Sequence, residues 1–134
     1  PDDLKAELAR IGYALKPFDI VLIKTGAARY NTEARYLTDH CGMMGEATEW
    51  LIDQGIKMMG IDAPTWDRPV KSMFETKEFW PSHRVMMERE YYHLENMANL
   101  DALPRPFGFK VSVLPIKWKG TTAAPVRAVA ILEE

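Results

Sequence analysis

The sequence predicts an α/β fold, a mixed sheet with flanking helices, for a chain of 134 residues. Two observations carry this. Segments with apolar residues at helical spacing alternate with compact β-branched runs, and the chain closes on two long extended runs joined by small residues. No internal repeat, low-complexity tract or composition break divides it, so residues 1–134 are expected to form a single domain. A domain of that length buries roughly two thirds of the surface its unfolded form exposes.

Taken in order, "DDLKAELARIG" places Leu4, Leu8 and Ile11 on one helical face, with acids in the first turn and Gly12 to stop it. "DIVLIKTG" is a β-branched run closed by Thr-Gly, the pattern of a buried strand. Residues 27–45 hold no sustained period and are expected to be a long loop. "EATEWLIDQG" returns to helical spacing through Ala47, Trp50 and Leu51, with Gly55 as its stop, and "IKMMGID" reads as the next strand. With "DIVLI" it makes a β-loop-α-β unit suited to a parallel or mixed sheet. "APTWDRPVKS", with two prolines, is expected to be irregular. "PSHRVMMERE" reads as a helix with Pro81 near its first turn, "YYHLEN" as an edge or entry strand, and "ANLDALP" as one or two turns. "GFKVSVLPIKWKG" and "PVRAVAILEE" are expected to pair as neighbouring strands; the first alternates apolar and polar residues, whereas "VRAVAIL" is nearly apolar throughout.

Composition narrows the function classes. Apolar residues make up 47% and charged residues 27%, with a net charge of −2, as in a soluble globular protein. The 17 Lys and Arg are scattered among 19 Asp and Glu, which argues against a nucleic-acid partner. The longest apolar runs are too short to span a bilayer and no signal-peptide pattern opens the chain, so no membrane partner and a cytoplasmic location are expected. Cys41 is the only cysteine, and no internal disulfide can form. "DHCG" sets it beside His40, but sequence-adjacent side chains point apart, and a free cysteine more often behaves as a small hydrophobe.

Two of the three histidines, His83 and His93, fall in "HRVMMEREYYHLEN", twelve and two positions before Glu95. A chain reversal between helix and strand would bring His83 and Glu95 to one point, where an imidazole nitrogen and a carboxylate oxygen suit Zn²⁺ or Mn²⁺ alike. No compact two-histidine motif reinforces this, and such residues are common at helix starts and strand ends. Strand alternation puts His93 on the same face as Glu95, as a competitor. Trp66, in "DAPTWDRP", is placed either to wall a substrate pocket or to anchor its loop. Asp62, at the end of "MMGID", is suited to cap a turn. The methionines at 43, 44, 58, 59, 73, 86, 87 and 97 are read as core and loop filler.

"GEATEWLIDQGIKMMGIDAPTWD", "HRVMMEREYYHLENMANLDALP" and "LPIKWKGTTAAPVRAVAIL" together resemble, in the same order, the C-terminal part of the cyclase family of metal-dependent hydrolases. That family includes the bacterial kynurenine formamidases and the isatin hydrolases. The resemblance implies the family's swivelling β/β/α fold with its N-terminal strands missing. It implies His83 and Glu95, the latter in "ENMANL", as metal ligands, with Glu95 able to bridge two ions. It implies an acid near the active site at Asp62, a turn near the substrate at "KGTTAAPVR", where Ala replaces the usual Gly and Ser, and assembly as a homo-oligomer. The family's upstream H-x-G-T-H-x-D-x-P-x-H signature, source of the other ligands and of the acid/base, has no match here. Since the chain opens directly at a helix start without an initiator methionine, the expectation is a missing N-terminal segment, present elsewhere as a fragment of the same protein or lost from the gene.

The implied activity is hydrolysis of an amide, formamide or cyclic amide C–N bond in a small molecule, by water activated on Zn or Mn, with this segment alone inactive. Two alternatives come from other classes: a metal-free relative acting as a binding or regulatory module, and a cysteine hydrolase using Cys41 and His40.

Overall fold

The computed structural model describes residues 1–132. Its contacts divide the chain into two compact units, Pro1–Ala102 and Leu103–Glu134.

In the first unit, helix α1 (Asp2–Ile11) forms where the apolar period runs; Asp2 and Asp3 open it and Arg10 lies in its last turn, each complementing the helix dipole. Gly12 ends it at φ 69°, a left-handed conformation that glycine adopts without strain, and donates its N–H back to the Ala9 carbonyl. Strands β1 (Ile20–Ile23), β2 (Met58–Ile61) and β3 (Tyr92–Leu94) form a parallel sheet in the order β1-β2-β3, with Ile23 opposite Ile61 and Gly60 opposite Leu94. The central strand buries Met59, Gly60 and Ile61, and the short aromatic β3 lies at the edge as its sequence suggests.

The β1–β2 crossover contains two 3-10 turns (Ala27–Tyr30 and Ala34–Leu37) in the predicted loop, followed by α2 (Gly45–Asp53). The β2–β3 crossover contains α3 (Val70–Thr76) and α4 (Pro81–Val85), and α4 packs beside α2. Leu51 of α2, Ile56, Met59, Ile61, Trp66 and Tyr91 are fully buried and make the core. Burying each such side chain contributes roughly 1.5–3 kcal/mol.

Helix α3 corrects the sequence expectation, which ran irregular structure through Ser72. Pro69 holds an extended ψ of 143° and so serves as the residue before the helix rather than as its breaker. Met73 alone is buried on α3, too little to leave a period in the sequence.

In the second unit, β4 (Lys110–Pro115) pairs antiparallel with β5 (Val126–Ile131), from Lys110 opposite Ile131 to Pro115 opposite Val126. The expected pairing is present. The apolar "VRAVAIL" is not buried within this unit, where Val129, Ile131 and Leu132 are exposed, because a two-stranded ribbon supplies no second layer of its own. The final Glu-Glu of the predicted strand lies outside the described residues. Among the described residues no helix is long and apolar enough to cross a membrane.

Candidate metal centre

Ligand sites in open parallel sheets lie beyond the carboxyl ends of the strands. Here Asp62, Trp66 and Asp67 follow β2, Glu95 follows β3, and α4 brings His83. The loops are laced together by backbone bonds from Asn96 N–H to the Ala63 carbonyl (2.8 Å) and from Met97 N–H to the Ile61 carbonyl (3.1 Å). Gly42 allows a third segment to approach: a Cβ there would stand 2.0 Å from the Asp67 carbonyl oxygen, whereas the bare backbone lets Met43 donate its N–H to the Trp66 carbonyl at 2.7 Å.

Asp67 is the residue the sequence reasoning missed. Its carboxylate is completely buried and closes the amino end of α4, accepting from Ser82 N–H at 2.7 Å and His83 N–H at 3.2 Å. These are the amides a helix leaves unpaired at its start. The same carboxylate takes a short hydrogen bond from His83 Nδ1. Ser82, also buried, donates its hydroxyl to the Met43 carbonyl (2.9 Å), and Tyr91 donates its hydroxyl to the Ser82 carbonyl (2.7 Å). Nothing in "TWDRP" marks this aspartate, whose partners lie 15 and 16 residues away.

With Nδ1 on Asp67, the other ring nitrogen of His83 lies 3.6 Å from Glu95 Oε1, and His93 Nε2 lies 3.4 Å from the same oxygen. One donor atom from each of His83, His93 and Glu95 falls within 4.8 Å of the others, a spacing that can hold a metal ion. The side chains of His83 and Glu95 are 37% and 29% exposed, so an ion can reach both, whereas that of His93 is 7% exposed. His93 lies parallel to the Trp66 ring at 5.8 Å, 5.6 Å from the Tyr91 ring, and edge-on to His83 at 4.6 Å.

Electrostatics at the cluster favour a charged pair when no metal is bound. The hydrogen bond to Asp67 holds the His83 imidazolium pKa above its ordinary value, against the opposing effect of burial. Burial pushes the Glu95 carboxyl up, but His93, the Trp66 N–H at 2.7 Å and the charge of the two imidazoles outweigh it, and the group lies below its ordinary value. A divalent cation would take the place of the proton on His83.

The other candidates are held in structural contacts. Trp66 is fully buried; its indole N–H donates to Thr48 Oγ1 at 3.0 Å and its backbone N–H donates to Glu95, so it anchors the loop and the carboxylate. Asp62 accepts from Thr25 N–H (2.7 Å), Thr25 Oγ1 (2.6 Å) and Gly26 N–H (2.8 Å), the turn-capping alternative. His40 Nδ1 contacts the Cys41 carbonyl at 3.0 Å, and burial pushes the Cys41 thiol pKa up, away from a nucleophilic thiolate. If the protein is the hydrolase its sequence implies, a Cys41→Ala variant is therefore expected to keep the full rate, and a large loss in a rate assay would restore the cysteine alternative.

Comparison with known proteins matches residues 1–68 to the Cyclase family, described as "Putative cyclase". A kynurenine formamidase from Bordetella avium (strain 197N) is 29% identical over 109 residues, 81% of this chain and 47% of the relative. Among solved structures, isatin hydrolase A from Ralstonia solanacearum superposes with a TM-score of 0.80 at 27% identity, over 98% of this chain and 52% of that one. An isatin hydrolase bound to the product analogue thioisatinate superposes at 0.81 with 23% identity, over 99% and 52% of the two chains, which shows the shared fold. The chain thus spans about half the length of the relatives it matches.

Proposed function

The chain belongs to the Cyclase family, and from that premise we propose that it forms part of a metal-dependent hydrolase of an amide, formamide or cyclic amide C–N bond, in which His83 and Glu95 are metal ligands. The observation that carries this is the pairing of a partly exposed His83 nitrogen with Glu95 Oε1 at 3.6 Å, beyond the ends of a parallel sheet. The names of the relatives, a formamidase and isatin hydrolases, support the amide class of substrate, as does a solved structure of a potential metal-dependent hydrolase with cyclase activity for the metal.

The donor set fits a divalent ion. It offers an imidazole whose second nitrogen is tied to a buried carboxylate, and a carboxylate steadied by a backbone N–H. When bound, the ion supplies an activated water and polarises the substrate carbonyl. Asp67 orients His83, the Trp66 N–H orients Glu95, and the Trp66, Tyr91 and His93 rings close the inner side of the cluster to solvent. Protonation of the leaving amine falls to the family's histidine motif, which this segment does not contain. Both compact units are assigned to the one hydrolase domain.

Metal removal tests this. The full-length protein, assayed on N-formyl and cyclic amide substrates, is expected to lose activity on chelation and regain it with Zn²⁺ or Mn²⁺. Hydrolysis that resists complete, verified metal removal would contradict the proposal.

A further inference from the structure

Two imidazoles reach Glu95, and the structure holds them differently. His83 Nδ1 bonds a buried carboxylate that lies on the far side of the ring from Glu95. Since both oxygens of this carboxylate already accept backbone N–H groups, it serves as an acceptor here and Nδ1 carries the hydrogen. In the neutral ring Nε2 is then the lone-pair nitrogen, the state a metal requires. His93 has no such partner: its Nδ1 is buried without a hydrogen-bond partner among the described residues. For His93 to offer an Nε2 lone pair it would have to bury an Nδ1–H with no acceptor. The opposite tautomer leaves only a bare lone pair inside and puts the hydrogen on Nε2, 3.4 Å from Glu95 Oε1, where a small reorientation would make a hydrogen bond.

We propose that Asp67 is the positioning residue of this metal centre: by taking the Nδ1 hydrogen of His83 it makes His83 the ligand imidazole, while His93, lacking an equivalent acceptor, stays outside the coordination sphere and steadies Glu95. The carboxylate is suited to the task because it cannot turn away. Both its oxygens are committed to the start of α4, through Ser82 N–H and His83 N–H, so the backbone that carries His83 and the acceptor that sets its tautomer form one rigid unit. Gly42 keeps the neighbouring strand of backbone tight against that unit. This inference rests on the metal-dependent reading above but concerns which ring nitrogen is free, and so is measurable without turnover.

The test combines ring ¹⁵N NMR with metal titration on the full-length protein. In the metal-free wild type at a pH where the rings are neutral, His83 is expected as the Nδ1–H tautomer and His93 as the Nε2–H tautomer. Adding Zn²⁺ is expected to shift His83 Nε2 strongly and to leave the His93 nitrogens without a coordination shift. Asp67→Asn, which presents an amide in place of an acceptor-only group, is expected to move the His83 tautomer and to weaken Zn²⁺ binding by about ten- to hundredfold. His93→Gln keeps a donor toward Glu95 and is expected to retain the full Zn²⁺ stoichiometry. A merely structural Asp67 would lower stability without moving the tautomer. Zn²⁺ coordination at His93, loss of the metal in a folded His93→Gln variant, or an Asp67→Asn variant with unchanged tautomer and affinity would each overturn the inference. Wild-type protein that takes up no Zn²⁺ at all would instead overturn the metal-dependent reading, while the two tautomers would still be read directly from the metal-free spectra.

Discussion

Replacing Glu95 by Gln in the full-length protein is expected to abolish metal binding and hydrolysis together while leaving the fold intact. The substitution is nearly isosteric, and a Gln carbonyl oxygen still accepts the Trp66 N–H that Glu95 now takes at 2.7 Å. Exchanging a charge-assisted hydrogen bond for a neutral one costs about 1 kcal/mol. The effect on the metal is larger, because a neutral amide replaces an anionic ligand. Loss of an outer partner alone weakens metal affinity by about ten- to hundredfold, and loss of a ligand is expected to exceed that. Equilibrium dialysis against Zn²⁺ and a rate assay on the same preparation check the outcome. Retention of both metal and rate would remove Glu95 from the centre.

Trp66→Ala is expected to act on the fold rather than on substrate affinity, destabilising the protein by about 3–5 kcal/mol. The side chain is wholly buried and its indole N–H is bonded to Thr48, itself buried, so truncation leaves a cavity and an unpaired hydroxyl together. The ring also lies against His93 at 5.8 Å, and the backbone of the same residue holds Glu95. Denaturant unfolding with and without Zn²⁺ measures the loss. A variant as stable as the wild type but with a raised KM would return Trp66 to the role of a pocket wall.

The sequence made α1, α2 and the strands legible because each leaves a period: Leu4, Leu8 and Ile11 on one helix face, or a β-branched run such as "IVLI". Helix α3 left none, since it commits only Met73 to the interior. The exposed β5 shows the opposite case, in which an apolar run marks a surface that its own unit does not cover. At the proposed metal centre, the sequence offers His83 and Glu95 because their side chains are ligand types in a recognisable stretch, and His93 through strand alternation with Glu95. Asp67 was not, because its role is made entirely by contacts across the fold, with two backbone amides and one imidazole. Contacts of the same kind hold Asp62 on the Thr25–Gly26 turn and Trp66 in the core, neither of which its sequence neighbours show.

The central claim is that His83 and Glu95 together hold a divalent metal, and native mass spectrometry of the full-length protein tests it most directly. Wild-type protein is expected to carry stoichiometric divalent metal, and a His83→Gln/Glu95→Gln double variant with an unchanged circular dichroism spectrum is expected to carry none at this position. A double variant that keeps the full metal complement, or a metal-free wild type with undiminished hydrolytic activity, would contradict the account.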